Sequence, residues 1–157
     1  MKKGMAILTA IIGMGVGASA SGYVVGKEVK KKSSKADKFK TYYNMLNQWL
    51  ALKQENKNLA QYFKDNKYRT IAIYGMGEMG TRLLEELKSS DIEVTCAIDH
   101  NASNTFSEIK VLNSDDVIPE VDAIIVTAVF AFEEIEKELS KQTDCPIISL
   151  EDVVYEV

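Results

Sequence analysis

One histidine and two cysteines in 157 residues leave little material for the commonest catalytic and metal chemistries. His100 has no Ser or Cys partner in an order that would make a nucleophilic triad. The spacing Tyr-x-x-x-Lys, which carries proton transfer in many reductases and epimerases, occurs only at Tyr23/Lys27, at the edge of an apolar N-terminal stretch. Cys96 and Cys145 show no metal-ligand spacing and fall in or beside apolar runs, so they read as reduced core thiols. No catalytic residue and no metal ligand is assigned on these grounds. Glu133, Glu134, Glu136 and Glu138 read as the solvated face of a helix.

Basic charge is also missing from most of the chain. Residues 68–157 hold 6 Lys/Arg against 19 Asp/Glu, a net of −13, whereas residues 1–67 hold 13 against 4, a net of +9. A surface so acidic does not suit nucleic acid, whose phosphates need neutralising cations.

Charge of either sign is absent from Gly4 to Gly26, a glycine-rich stretch containing Ile7, Leu8, Ile11, Ile12, Val16, Val24 and Val25. As a helix it would extend roughly 30 Å, enough to cross a hydrocarbon core. Lysines are denser after it (Lys27, Lys30, Lys31, Lys32, Lys35) than before it (Lys2, Lys3). The positive-inside bias then predicts a single-pass anchor at residues 1–26 in the cell membrane, with the remainder cytoplasmic. Ala18-Ser19-Ala20 also fits the end of a cleaved signal peptide, and that alternative stays open. Gly13/Gly17 and Gly22/Gly26 have the GxxxG spacing through which two such helices could form a homodimer.

Residues 27–38 read as a basic juxtamembrane linker. From residue 39 to 67, apolar residues recur at helical spacing: Phe39, Tyr42, Tyr43, Leu46, Trp49, Leu50, then Leu59, Tyr62 and Phe63. The polar gap Gln54–Asn58 is expected to split this amphipathic segment in two. Its aromatic face is expected to pack on the domain that follows.

Residues 68–157 alternate between strand and helix patterns. Strands are expected at 70–74, 92–98, 109–111, 122–128 and 146–149. Helices are expected at 78–89, 114–118 and 130–141, with a short one after Leu150. Such alternation predicts an α/β domain, a small Rossmann-like, doubly wound parallel sheet of about five strands.

The most informative stretch joins the first strand to the first helix, Gly75-Met76-Gly77-Glu78-Met79-Gly80, and Asp99 closes the second strand 19 residues later. In a dinucleotide-binding turn the first glycine makes the bend. The second lets phosphates approach the backbone, and the third lets helix and strand pack closely. The candidate cofactor-binding residues are therefore Gly75, Gly77, Glu78, Met79, Gly80 and Asp99, with Thr127 at the end of the fourth strand. The N–H groups at the start of the helix would face phosphate. A carboxylate at Asp99 would accept ribose hydroxyls and repel a 2′-phosphate, favouring NAD or a nucleotide-sugar over NADP.

Three strings carry a resemblance: Ile71-Ala72-Ile73-Tyr74-Gly75-x-Gly77-Glu78-x-Gly80, Ala97-Ile98-Asp99-x-Asn101 and Val121–Ala128. Together they resemble the Rossmann-like, CoA-binding-type accessory domain of membrane-bound nucleotide-sugar epimerase/dehydratases of bacterial polysaccharide synthesis. Similar domains begin sugar acyltransferases. The resemblance spans residues 68–152 and implies nucleotide or nucleotide-sugar binding beside a glycan-synthesis enzyme. The catalytic portion of those enzymes has no counterpart in this sequence. The expectation is thus a membrane-anchored nucleotide-binding module without catalysis of its own. The alternative is a small NAD-dependent oxidoreductase or epimerase-like enzyme completed by a partner chain.

Overall fold

The computed structural model describes residues 35–157. The expected anchor, its glycine spacings and most of the basic linker lie outside the described residues. No helix among the described residues is long and apolar enough to cross a membrane. The chain divides into two compact units, residues 1–43 and residues 44–157. In the first, the described residues 35–43 are helical, so helix begins before Phe39 and includes the end of the expected linker.

Helix α1 covers residues 35–54 and enters the second unit. It stops at the polar gap. Asn56 takes φ +59°, and the Lys57 N–H donates to the Leu52 carbonyl at 2.9 Å, a left-handed cap that satisfies the last carbonyls. Helix α2, Ala60–Asp65, ends the same way, with Lys67 at φ +63° and Tyr68 N–H donating to Phe63 O at 2.8 Å.

Five parallel strands follow: β1 Thr70–Tyr74, β2 Glu93–Ile98, β3 Val111–Leu112, β4 Ala123–Val126 and β5 Ile147–Ser149. Their order in the sheet is β3-β2-β1-β4-β5. The chain therefore winds outward from β1 in one direction, returns, and winds outward in the other. Helix α3, Glu78–Leu87, connects β1 to β2. Helix α4, Phe132–Leu139, connects β4 to β5, and α5, Leu150–Glu156, follows β5. Right-handed crossovers running in opposite directions place α3 and α4 on opposite faces. Alternate residues sort accordingly. Ala72, Tyr74, Cys96, Ile98, Ile124 and Val126 pack with Ile135 and Leu139 of α4. Ile71, Ile73, Ala97, Ala123 and Ile125, equally buried, belong to the other face. Strands apolar at every position are what a sheet covered on both sides requires.

Residues 114–118 are not helical. Asp116 Oδ2 accepts from Asn113 N–H at 2.8 Å, and Asp116 N–H donates to Asn113 O at 3.0 Å. That side-chain-to-backbone pairing competes with a helix, and Pro119 removes a donor just beyond. A 3-10 turn at Ala102–Asn104 was not expected. The long helix expected at 130–141 begins instead as a 3-10 turn, Val129–Ala131.

The helical lead-in is joined to α3 through one carboxylate. Glu86, whose side chain is 6% exposed, accepts from Trp49 Nε1 at 2.6 Å and from the Leu59 N–H at 2.7 Å, and pairs with Lys53 at 3.3 Å. Trp49, Leu52, Leu59, Tyr62 and Phe63 are buried, as the aromatic face predicts, whereas Phe39, Tyr43, Leu46 and Leu50 are exposed.

Candidate functional site

Register sets the site. Tyr74 pairs with Ile98 on one side and with Val126 on the other. The residues that follow, Gly75, Asp99 and Thr127, therefore stand level with one another at the C-terminal edge of the sheet, three chain exits brought together from positions up to 52 apart. The order of strands reverses between β1 and β4, so the crossovers diverge here and leave a crevice. In open α/β sheets this is where ligands bind.

The turn is tied down from both sides. Gly75 has φ +94°, and a Cβ there would meet Thr127 Oγ1 at 2.7 Å. Its N–H donates to the Ile98 carbonyl at 2.8 Å. Thr127, buried, donates its hydroxyl to the Gly75 carbonyl at 2.7 Å, and its N–H to the Tyr74 carbonyl at 2.9 Å. From the β2 side, Asp99 Oδ2 accepts the Met76 N–H and Oδ1 accepts the Asn101 N–H, both at 2.8 Å. A Cβ on Gly80 would lie 2.1 Å from the Gly75 carbonyl oxygen. Close packing of α3 on the turn therefore requires glycine there.

Gly77 is different. It is exposed, caps α3 without a side-chain bond, and has nothing within 4 Å of the place a Cβ would occupy. No contact among the described residues demands glycine at this position. Glu78 is exposed in the first turn of α3, and Met79 beside it is half-buried. The opening N–H groups of a helix lack intrahelical acceptors.

The crevice is a cavity of about 430 Å³ lined by Tyr74, Gly75, Asp99, His100, Ala128, Glu134 and Glu138, among others. Tyr74 is 4% exposed. Its hydroxyl lies 2.9 Å from His100 Nε2, and His100 Nδ1 lies 2.9 Å from Ser114 Oγ, a hydrogen-bonded row leading away from the cavity wall. The Tyr74 and His100 rings meet edge to face at 5.8 Å. Burial raises the Tyr74 phenol above its ordinary range, and the Glu138 and Asp99 carboxylates add to the effect. The phenol is thus neutral at physiological pH and a poor base. Among the described residues, no lysine or arginine lines this cavity.

Of the residues expected from sequence, Gly75 stands between Asp99 on the β2 side and Thr127 on the β4 side, and Gly80 backs the turn. Gly77, Glu78 and Met79 form its outer rim. Thr127 turns its side chain into the turn rather than the crevice, where Ala128 is the lining residue. Tyr74, Glu134 and Glu138 were not expected as neighbours of the site. The signal for Tyr74 is its phase with Ala72, which aims it at the α4 face. For the two glutamates it is their i, i+4 spacing around Ile135. No group of His, Cys, Asp and Glu able to hold a metal ion occurs among the described residues. Both cysteines are free.

A family model described as C2185-like, N-terminal, matches residues 67–146. The match runs from just before β1 through β4 and α4, and includes the turn, Asp99 and Thr127. The chain belongs to this C2185-like N-terminal family. No curated protein and no solved structure matches it.

Proposed function

We propose that the chain is a nucleotide-recognition module of Rossmann-like, doubly wound type, without a reaction of its own, taking NAD or a nucleotide-sugar across the C-terminal edge of the sheet. The observation that carries this reading is the contrast within the turn. Gly75 and Gly80 are fixed by internal contacts, while Gly77 opens on solvent with no contact among the described residues that excludes a side chain. A backbone approached closely by a ligand excludes one.

Asp99 retains capacity for a ribose. A carboxylate offers about four acceptor sites, and two are filled by the Met76 and Asn101 N–H groups. The remaining lone pairs suit a vicinal diol and oppose a 2′-phosphate, which favours NAD or a nucleotide-sugar over NADP. Glu78, Glu134 and Glu138 repel the diphosphate, so affinity is modest and behaves unusually with salt. Screening weakens this repulsion, and binding should strengthen between about 50 and 300 mM salt.

Among the described residues no lysine stands beside Tyr74 in the crevice, so the Tyr/Lys pair that carries proton transfer in many reductases and epimerases has no counterpart there, which favours recognition over turnover. The resemblance to accessory domains of polysaccharide-synthesis enzymes, with the apolar N-terminal stretch as anchor, supports a place beside a glycan-synthesis enzyme at the membrane. A second reading has its own observation: Asp99 and Thr127 stitch the turn completely without a ligand, as in a domain that binds nothing. Calorimetric titration of the full chain with NAD, NADP, coenzyme A and UDP-sugars separates the two. Binding of NAD or a UDP-sugar that weakens in Asp99→Asn supports recognition. No heat with any of them overturns it.

A further inference from the structure

His100 is the only histidine of the chain, and it lines the crevice just beyond β2. Its ring is held from both nitrogens, by the Tyr74 hydroxyl at Nε2 and by Ser114 Oγ at Nδ1, each at 2.9 Å. Both partners are themselves placed. Tyr74 is the buried last residue of β1. The Ser114 carbonyl accepts from Gln142 Nε2, beyond α4, at 3.3 Å.

The charged groups around this ring are acids. Asp99 precedes it in the chain, Glu134 and Glu138 line the crevice from α4, and Asp115 and Asp116 follow Ser114. Tyr74, facing it from β1, has its phenol held neutral by burial. Among the described residues that line the cavity, His100 is the one side chain able to carry positive charge. A histidine changes its charge between about pH 5 and 8. Hydrogen bonding changes with it. A neutral imidazole has one donor and one acceptor, so one of the two hydroxyls gives its proton to the ring. An imidazolium has two donors, so both hydroxyl oxygens accept. The Tyr74 O–H is then free for an acceptor in the cavity that Tyr74 lines.

We propose that ligand uptake in the crevice is proton-linked through His100. An anionic ligand, a diphosphate ester of a nucleoside, is held with His100 as the imidazolium, which offsets the surrounding carboxylates and releases the Tyr74 hydroxyl as a donor. This linkage rests on the nucleotide-recognition reading of the crevice and makes that recognition pH-dependent. Binding tightens as pH falls through the titration of His100. Reciprocally, bound ligand moves that titration to higher pH.

The test uses the full chain in detergent micelles with no added histidines, and NAD and UDP-glucose as probes. Their diphosphate diesters keep the same charge across the range examined. Calorimetric titration should give affinity at least about threefold tighter at about pH 5.5 than at about pH 8. His100→Gln, whose amide can donate and accept but does not titrate, should lose most of that difference. Because the chain has one histidine, its ring signal in NMR is unambiguous, and saturation with probe should move its titration midpoint upward. Equal affinity at the two pH values, a midpoint that probe leaves in place, or undiminished pH dependence in His100→Gln overturns the proposal, while the binding itself upholds the recognition reading. No binding of either probe at either pH overturns both.

Discussion

Two carboxylates perform the same task at opposite ends of α3. Glu86, near its C-terminus, gathers Trp49 Nε1, the Leu59 N–H and Lys53. Asp99, beside its N-terminus, gathers the Met76 and Asn101 N–H groups. They differ in what surrounds them. Glu86 is almost fully enclosed, as are Trp49 and Leu59, so the indole and the Leu59 N–H have no alternative acceptor and its loss strands them. Asp99 is half-exposed and borders a crevice, so its bonds can be shared with something that enters. One carboxylate closes the joint between lead-in and domain, and the other holds the turn in a form still open to exchange.

The largest effect that would break this contrast falls on neither carboxylate but on the glycine between them. Gly80→Ala forces a methyl group to within 2.1 Å of a carbonyl oxygen. α3 must move off the turn, at a cost of about 3 kcal/mol or more in chemical denaturation. A loss below about 1 kcal/mol would mean the helix sits more loosely than described. Next comes Glu86→Ala, expected to cost about 2–4 kcal/mol because an indole N–H and a backbone N–H lose their acceptor in a closed setting. Asp99→Asn should cost only about 1 kcal/mol in the same experiment, since an amide oxygen still accepts one of the two N–H groups. If Asp99→Asn proved as damaging as Glu86→Ala, the two sites would not differ in the way proposed.

A third carboxylate extends the comparison to the other edge of the sheet. Asp122 Oδ2 accepts from the Thr70 N–H at 2.8 Å and the Arg69 N–H at 2.7 Å. The bond from Thr70, then that from Arg69, holds its carboxyl below the ordinary carboxylate range. The folded chain therefore binds this proton less readily than the unfolded one. The stabilisation is full above about pH 4 and is lost as pH falls through the lowered value. Asp122→Asn should lower the melting temperature slightly at neutral pH and flatten its decline on acidification. An unchanged acid limb would remove Asp122 from the account.

Most of the sheet was legible because its strands are apolar at every position and bounded by turn residues. Ala123–Val126 leaves no other reading. The helix expected at 114–118 failed because Asp116 bonds locally to the Asn113 backbone, a choice that helix propensity does not register. The glycine turn and Asp99 were legible as a pattern, but not what they touch. No sequence rule says that Asp99 spends an oxygen on Met76 or that Thr127 faces inward. Those follow from register, which levels β1, β2 and β4 at Tyr74, Ile98 and Val126. Glu86 was invisible for the same reason. Its partners lie 27 and 37 residues away and nothing in its neighbourhood marks it as enclosed. The lead-in helix was read as one aromatic face, where the structure splits it into a buried set and an exposed one.

Gly77 is the residue on which the functional reading turns, and Gly77→Ser isolates it. Serine is as good as glycine or better at a helix N-cap, and the space around the position is open. Stability should hold or rise while ligand loses its approach. Calorimetric titration of the full-length chain and of Gly77→Ser with NAD and a UDP-sugar is the decisive measurement. The account predicts binding to the unmodified chain and affinity at least about tenfold weaker in the variant, a loss of about 1.4 kcal/mol, with no loss of melting temperature. Equal affinity in the two proteins would contradict it.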